Sequence, residues 1–145
     1  MSIRRVAAPM TYPLRRTVLR KGIEHTDVRF PQDDMPDTFH LGYFVADELV
    51  GVASFSPAPT PHRPDAHAWQ LRGMAVADDQ QGKGVGAALV AEAIARVRAD
   101  GAAVLWCNAR DSASTFYGKL GFVTHGDGFA TKDTGLPHHV MVLDL

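Results

Sequence analysis

The chain has 145 residues, 46% of them apolar and 21% charged. This is enough for one domain with a sizeable core and too little for two domains. Fifteen Lys and Arg residues against sixteen Asp and Glu give a net charge of −1, which excludes the overall basic field that attracts nucleic acid. The single cysteine, Cys107, cannot form an internal disulfide, and we interpret it as a core residue because it ends the apolar stretch Val-Leu-Trp-Cys.

The N-terminus gives no sign of a targeting segment. Residues 1–16 interrupt their apolar positions with arginine and proline, and no apolar run approaches the about 18 residues of a membrane span. We therefore expect no secretory signal and no membrane partner, and we expect a cytoplasmic protein.

The first 39 residues have the weakest pattern in the chain. Residues 1–13 contain two prolines and no clean period, which predicts a surface arm, and the alternation in residues 14–20 predicts a first strand. Residues 21–39 are polar and broken by prolines, so we expect one short helix there or none. Four charged residues are expected to be solvated: Arg20, Asp33, Asp34 and Lys83. The alternative for Asp33 and Asp34 is attraction of a cationic ligand, and the alternative for Lys83 is contact with a phosphate.

The next segment predicts three strands. Residues 40–46 and 49–55 are strand-like runs joined by Asp47-Glu48, which favours an antiparallel hairpin. Residues 56–65 hold four prolines and predict a stiff loop. Residues 68–76 are the predicted central strand, and Gly73 within it marks a bulge or a close ligand approach.

A glycine-rich loop follows the central strand and opens a helix predicted over residues 84–99. Gly82, Gly84 and Gly86 alternate there, so successive backbone N–H groups can point outward with no Cβ in the way. The helix N-terminus adds a partial charge of roughly +0.5 and unpaired N–H groups. The loop therefore predicts a phosphate-binding site for an anionic cofactor.

The remaining elements complete the predicted fold. Residues 102–107 are a short apolar strand, expected to run parallel to the central strand with the helix as crossover. A second helix over 112–120, a strand over 122–125, a turn at 126–128 and a strand over 140–145 follow. The fold class is α/β: a mixed, mostly antiparallel sheet, flanked by helices and splayed where the central strand meets residues 102–107.

Two common phosphate-binding motifs do not explain the loop. The Walker A pattern fails because Ala77 stands where a glycine is needed. The dinucleotide pattern G-x-G-x-x-G/A is formally met by Gly82, Gly84 and Ala87. However, residues 77–81 separate the strand from the first glycine, and the next strand ends in Asn108 rather than an acid. A nicotinamide-cofactor protein is therefore a distant alternative.

Two motifs together resemble the GNAT superfamily of N-acetyltransferases. Gln81-Gly82-Lys83-Gly84-Val85-Gly86 matches a Q/R-x-x-G-x-G/A loop after a Met-Ala-Val strand end, and it looks like the family's acyl-CoA loop. Ala113-x-x-Phe116-Tyr117-x-x-Leu120-Gly121-Phe122 resembles the family's next signature at the expected distance downstream. The resemblance spans about half of the chain and implies one GNAT-like acetyltransferase domain over residues 1–145.

The resemblance also implies a set of residues that bind acetyl-CoA. The loop amides would hold the pyrophosphate, backbone groups of a bulged strand end would face the pantetheine and the thioester, and either Asn108 or Arg110 would hold the pantetheine arm. The loop residues are Gln81, Gly82, Lys83, Gly84, Val85, Gly86 and Ala87, and the strand residues are Met74, Ala75 and Val76. No group of residues has metal-ligand spacing, so no metal is implied.

Two catalytic candidates follow from the same resemblance. Tyr117 occupies the place where the family keeps a tyrosine beside the thioester sulfur, which suggests a general acid; the alternative is a core tyrosine. For the base, His138 leads His139, His67 and His40, because family chains pass the acceptor near the last strand.

The predicted activity is transfer of an acetyl group from acetyl-CoA to a primary amine, by direct attack in a ternary complex. The expected partner is a small-molecule or peptide amine, with no nucleic acid and no membrane. A homodimer is also compatible with the sequence. The alternative is a non-catalytic acyl-CoA-binding module that has kept the loop and lost transfer.

Overall fold

The computed structural model describes residues 1–145 and is organised around one seven-stranded sheet. The strands are β1 (Ser2–Val6), β2 (Phe39–Val45), β3 (Glu48–Pro57), β4 (Ala68–Val76), β5 (Val104–Arg110), β6 (Val123–Ala130) and β7 (Pro137–Asp144). The α-helices are α1 (Ala8–Leu14), α2 (Val85–Ala99) and α3 (Ser114–Lys119). The strand order is β1-β2-β3-β4-β5-β7-β6, and only the β4–β5 pair is parallel. The predicted α/β class and mixed sheet are confirmed.

The sheet opens between its two parallel strands. β4 and β5 pair from Ala68 with Val104 to Leu71 with Cys107, and the pairing stops there. Beyond this point β4 continues alongside β3, and β5 continues alongside β7. A cleft therefore forms between the carboxyl-terminal halves of β4 and β5, where ligands bind in many sheets of this kind.

The main core lies between α2 and the sheet. Leu89, Val90, Ala93 and Val97 recur at helical spacing along α2 and are all essentially inaccessible. They belong to a cluster of 18 buried residues that also includes Cys107 and Tyr117. Burying a side chain of the size of leucine or valine contributes roughly 1.5–3 kcal/mol, so this face accounts for much of the stability.

The prediction for residues 1–20 is wrong. In place of a surface arm and a strand, the chain forms β1 and α1, and the helix continues as a π-helical turn over Arg15–Leu19. Pro9 lies in the first turn of α1, where a missing N–H costs nothing. The short-helix prediction for residues 21–39 is confirmed by a single 3-10 turn, Pro31–Asp34.

Several boundaries near the C-terminus also differ from expectation. β5 extends to Arg110, so Asn108 and Arg110 are strand residues. The turn predicted at 126–128 is wrong: β6 continues to Ala130, with an irregular register between His125 and Phe129. β7 begins at Pro137 rather than at residue 140. None of the helices is both long and apolar enough to cross a membrane.

Candidate active site

The glycine-rich loop and the start of α2 form one end of the site. Gly82 and Gly84 have φ values of +76° and +82°, and a Cβ at either position would meet no atom within 4 Å. No side chain caps α2, whose N-cap is Gly84. The first-turn N–H groups are therefore available to an acceptor oxygen, and the open surface over the two glycines suits a diphosphate.

The other loop residues differ from Gly82 and Gly84 in their burial and contacts. Gly86 is buried, and a Cβ there would lie 2.8 Å from Phe116 Cζ, so this glycine permits helix packing rather than ligand approach. The side chain of Val85 is buried and Ala87 is half-buried, which leaves them backbone roles only. Gln81 donates from Nε2 to the Val76 carbonyl at 3.0 Å, which ties the loop to the end of β4. Lys83 is exposed, as expected.

The bulge predicted at Gly73 is present in β4. Val52 pairs with Ala75 and Ser54 pairs with Arg72, so Ala53 alone faces both Gly73 and Met74. Gly73 has a φ of +62°, and a Cβ there would lie 2.7 Å from Arg15 Nε. Only glycine fits this position. The extra residue leaves backbone polar groups outside the β-ladder, in line with the role that the family resemblance gives to residues 74–76.

A buried ion pair lies under this bulge. Arg15 is fully buried and binds both carboxylate oxygens of Asp33, at 2.8 and 3.0 Å, and it also donates to Ser54 Oγ at 2.8 Å. Asp33 in turn accepts the Phe30 N–H at 2.9 Å. Burial by itself raises the pKa of Asp33, but the hydrogen bonds from Arg15 and Phe30 outweigh it, and the pKa lies below its ordinary value. The expectation of a solvated Asp33 is wrong.

The cleft between β4 and β5 encloses a cavity of 260 Å³. Met74, Phe116 and Tyr117 lie at the side that faces α2 and α3, and Arg20 and His138 lie at the other side. Predicted residues from four separate segments therefore meet at one cavity: Met74, Asn108, Arg110, Tyr117 and His138. Ala75 and Val76 do not line it.

Tyr117 is buried in the wall of this cavity. Its ring packs edge-on against Phe116 and Phe122, at centroid distances of 4.9 and 5.4 Å. The hydroxyl makes no hydrogen bond to the protein and is not among the fully buried unpaired polar atoms, so it contacts the cavity. Burial raises the pKa of Tyr117 above its ordinary value, and Cys107 adds to this effect. The phenol therefore keeps its proton at neutral pH.

His138 is the only histidine that lines the cavity. Its Nδ1 lies 2.8 Å from the Leu136 carbonyl, and since a carbonyl only accepts, Nδ1 carries the proton. In the neutral form of this tautomer, the other nitrogen, Nε2, has a free lone pair. The imidazole stacks on the Phe129 ring, with 5.9 Å between the ring centroids, and this contact restricts the orientation of the imidazole.

The other three candidate bases are engaged elsewhere. His139 contacts Asp111, with 2.7 Å between Nδ1 and Oδ1, and His67 lies beside Asp100. His40 is buried against Ser54 Oγ and the Asp33 carbonyl. Cys107 is a core residue as expected, because its side chain is buried in the main cluster, and this burial raises the pKa of its thiol to about 12. No three His, Cys, Asp or Glu side chains form a group that could hold a metal ion.

Two arginines of the cavity escaped the sequence analysis. Arg20, expected at the surface, is buried, and Arg72 also lines the cavity. Arg72 carried a detectable signal, because a charged side chain in the interior of a central strand is rare unless it is paired. Arg20 carried none, since its surroundings come from distant segments.

Comparison with known proteins agrees with this architecture. The family model of the acetyltransferase (GNAT) domain matches residues 17–145. The uncharacterized N-acetyltransferase YitI of Bacillus subtilis (strain 168) is 30% identical over 142 residues, which cover 98% of this chain and 94% of YitI.

Solved structures share the fold at low sequence identity. An aminoglycoside 6′-N-acetyltransferase complexed with coenzyme A superposes with a TM-score of 0.79 at 15% identity, covering 99% of this chain and 97% of that one. Escherichia coli ElaA gives a TM-score of 0.77 at 17% identity, covering 98% and 99%. The family match and the relative at 30% identity establish that the chain belongs to the GNAT family of acetyltransferases.

Proposed function

We propose that residues 1–145 form one catalytic domain that transfers the acetyl group of acetyl-CoA to a primary amine, by direct attack in a ternary complex. The observation that carries the proposal is the continuous cavity between β4 and β5, which brings Met74 and Tyr117 together with His138. One opening of the sheet would thus serve both the acyl donor and the acceptor, as direct transfer requires.

The co-substrate supplies an acetyl group activated as a thioester, and this chain's residues divide the remaining tasks. The N–H groups at Gly82, Gly84 and the first turn of α2 would hold the diphosphate. Backbone groups left free by the bulge at Gly73 and Met74 would stabilise negative charge on the carbonyl oxygen. Removing an oxyanion donor of this kind costs about 2.7–4 kcal/mol where it has been measured.

Proton transfer falls to two side chains. His138 Nε2 would accept the amine proton as the N–C bond forms, and Tyr117 would donate its proton to the sulfur as the C–S bond breaks. The products are an N-acetylated amine and a free thiol, and the cycle closes when the proton taken up by His138 returns to the Tyr117 phenolate through solvent. The Leu136 carbonyl keeps His138 in the required tautomer.

A thiol-release assay over a broad amine panel tests the activity. We expect acetyl-CoA-dependent release of free thiol with at least one class of primary amine, and stoichiometric N-acetylation by mass spectrometry. Tight acetyl-CoA binding in calorimetry with no turnover on any amine, polyamine, amino acid or peptide N-terminus would instead identify a non-catalytic acyl-CoA-binding module. Binding of NAD in place of coenzyme A in a thermal-shift comparison would refute both.

Replacing Gly84 by aspartate is expected to weaken acetyl-CoA binding at least about a hundredfold, because a carboxylate would lie against the diphosphate and like charges at an interface cost several kcal/mol. The space over Gly84 is open, so the domain should still fold. Calorimetric titration with acetyl-CoA measures the effect.

Gly84→Asn is the matched control for this variant. It has the same size and the same backbone strain at positive φ, but no charge, and should bind more tightly than Gly84→Asp. A folded Gly84→Asp protein with unchanged affinity would mean that the diphosphate binds elsewhere.

A further inference from the structure

The part of the cavity around His138 has an excess of positive charge. Three guanidinium groups line it, those of Arg20, Arg72 and Arg110, together with a single carboxylate, that of Asp133. Since the whole chain has a net charge of −1, this is a local concentration of charge and not a general property of the surface.

Arg72 and Arg110 lie on the sheet face opposite α2. Leu71, Cys107 and Ala109 belong to the core cluster under α2, and side chains alternate along a strand. Arg72 and Arg110 therefore project to the other face. They are separated by the sheet from the Gly82–Gly84 loop, so the diphosphate proposed there does not explain them.

Most of this charge has no anionic partner in the protein. Arg20 contacts Asp133 at 2.9 Å, whereas Arg110 donates to the Leu19 carbonyl and Arg72 donates to Gln70 Oε1. Asp33, the carboxylate whose charge acts on Arg72, is already paired with Arg15.

Two guanidinium nitrogens in this group are buried without any hydrogen-bond partner, Arg20 Nε and Arg72 Nη1. Each guanidinium has about five N–H donors, and neutral carbonyls satisfy only some of them. Burial lowers the pKa of Arg72 and of Arg110, and the neighbouring Arg20 lowers that of Arg110 further. Asp33 and Asp133 oppose these shifts without cancelling them, and neither carboxylate forms an ion pair with Arg72 or Arg110.

We propose that the acceptor is a primary amine that also carries an anionic group, a carboxylate or a phosphate, held by Arg72 and Arg110 beside Arg20. Planar guanidinium groups bind such oxygens in pairs. The anion would anchor the acceptor while its amine faces His138, which lines the same cavity. Polycationic amines are expected to bind poorly because they have the same sign of charge as the arginines that line the cavity. This inference rests on the proposed N-acetyltransferase function and specifies its substrate class.

The test uses four short amines that differ in the charge of one end: β-alanine, O-phosphoethanolamine, β-alaninamide and 1,3-diaminopropane. Binding to the full chain in the presence of coenzyme A is followed through the arginine Nε–H resonances in NMR titrations, and acetylation is followed through kcat/KM. We expect the affinity and the kcat/KM of β-alanine or O-phosphoethanolamine to exceed those of both other amines by about ten- to a hundredfold. This is the effect of one or two charge-assisted hydrogen bonds. The ratio between the first two probes distinguishes a carboxylate from a phosphate.

Arg72→Gln should remove most of this preference, and Arg110→Gln is a second variant if the first does not fold. Arg29→Gln is the matched control, because Arg29 is exposed and pairs with Asp27 outside the cavity. Acetylation without preference for anionic probes, or a preference unchanged by both cavity variants, would overturn this inference and leave the proposed function intact. Arginine-dependent binding of anionic probes without acetylation would support the anion site and count against the proposed function.

Discussion

Replacing Tyr117 by phenylalanine is expected to lower kcat by roughly 10- to 10⁴-fold, the range for a lost general acid with water as partial substitute. The ring and its contacts with Phe116 and Phe122 are kept, and only a hydroxyl without a protein partner is lost. Stability should therefore change little, and the acetyl-CoA dissociation constant should change by less than about threefold. Single-turnover kinetics and calorimetry measure the two quantities.

Tyr43→Phe is the matched control for this experiment. Tyr43 lies in β2, opposite Gly51 of β3, and does not line the cavity, so removing its hydroxyl should leave kcat unchanged. A Tyr117→Phe enzyme with wild-type kcat, where chemistry limits turnover, would reduce Tyr117 to a core residue. The proton for the thiolate would then have to come from water.

Replacing Asp33 by asparagine is expected to destabilise the fold by about 3–5 kcal/mol, the usual cost of leaving one member of a buried ion pair without its partner. Arg15 is fully buried and would have no other carboxylate. For a chain of this size the loss corresponds to a fall in Tm of roughly 6–20 °C. Thermal and urea unfolding measure it.

Two further variants identify the cause of that loss. Asp34→Asn changes the adjacent exposed carboxylate in the same 3-10 turn and should have little effect. The double variant Arg15→Met with Asp33→Asn should recover most of the stability, because no uncompensated charge remains and asparagine still accepts the Phe30 N–H. An Asp33→Asn protein as stable as Asp34→Asn would show that the ion pair contributes nothing.

The same carboxylate predicts a pH dependence of stability. The pKa of Asp33 in the folded protein lies below its ordinary value of 3.8, so its contribution is fully present above that value and is lost as the pH falls through the folded-state pKa. The free energy of unfolding of the wild type should therefore fall more steeply in this acid range than that of Asp33→Asn. Equal slopes would contradict the assigned pKa shift.

Features determined by neighbouring residues were readable from the sequence. The stripe of Leu89, Ala93 and Val97 follows helical spacing, which requires no knowledge of what packs against it. Gly82 and Gly84 predicted a loop with outward N–H groups before a helix, and Gly73 predicted a bulge, because glycine has no Cβ and accepts conformations that strain other residues. The hairpin between β2 and β3 is likewise a short-range feature.

The prediction for the N-terminal region was wrong although one of its two prolines fits a helix. Pro9 and Pro13 suggested an irregular chain, yet Pro9 lies in the first turn of α1, where proline is tolerated, and Pro13 lies inside the helix. No clean period revealed this helix, because its inward face is polar: it carries Thr11, and Arg15 follows in the π-helical turn. Tertiary packing decided the conformation there over local propensity.

The sequence by itself determined the α/β class, the phosphate-type loop and the candidates Tyr117 and His138. Only the tertiary structure decided which side chains share a cavity. Arg15, Asp33 and Ser54 meet under the bulge from three separate segments, and Arg20, Arg72 and Arg110 meet beside His138 in the same way. Burial decides the role of these charges. A charged side chain in water has little effect on stability, whereas a buried one destabilises the protein unless it has a partner.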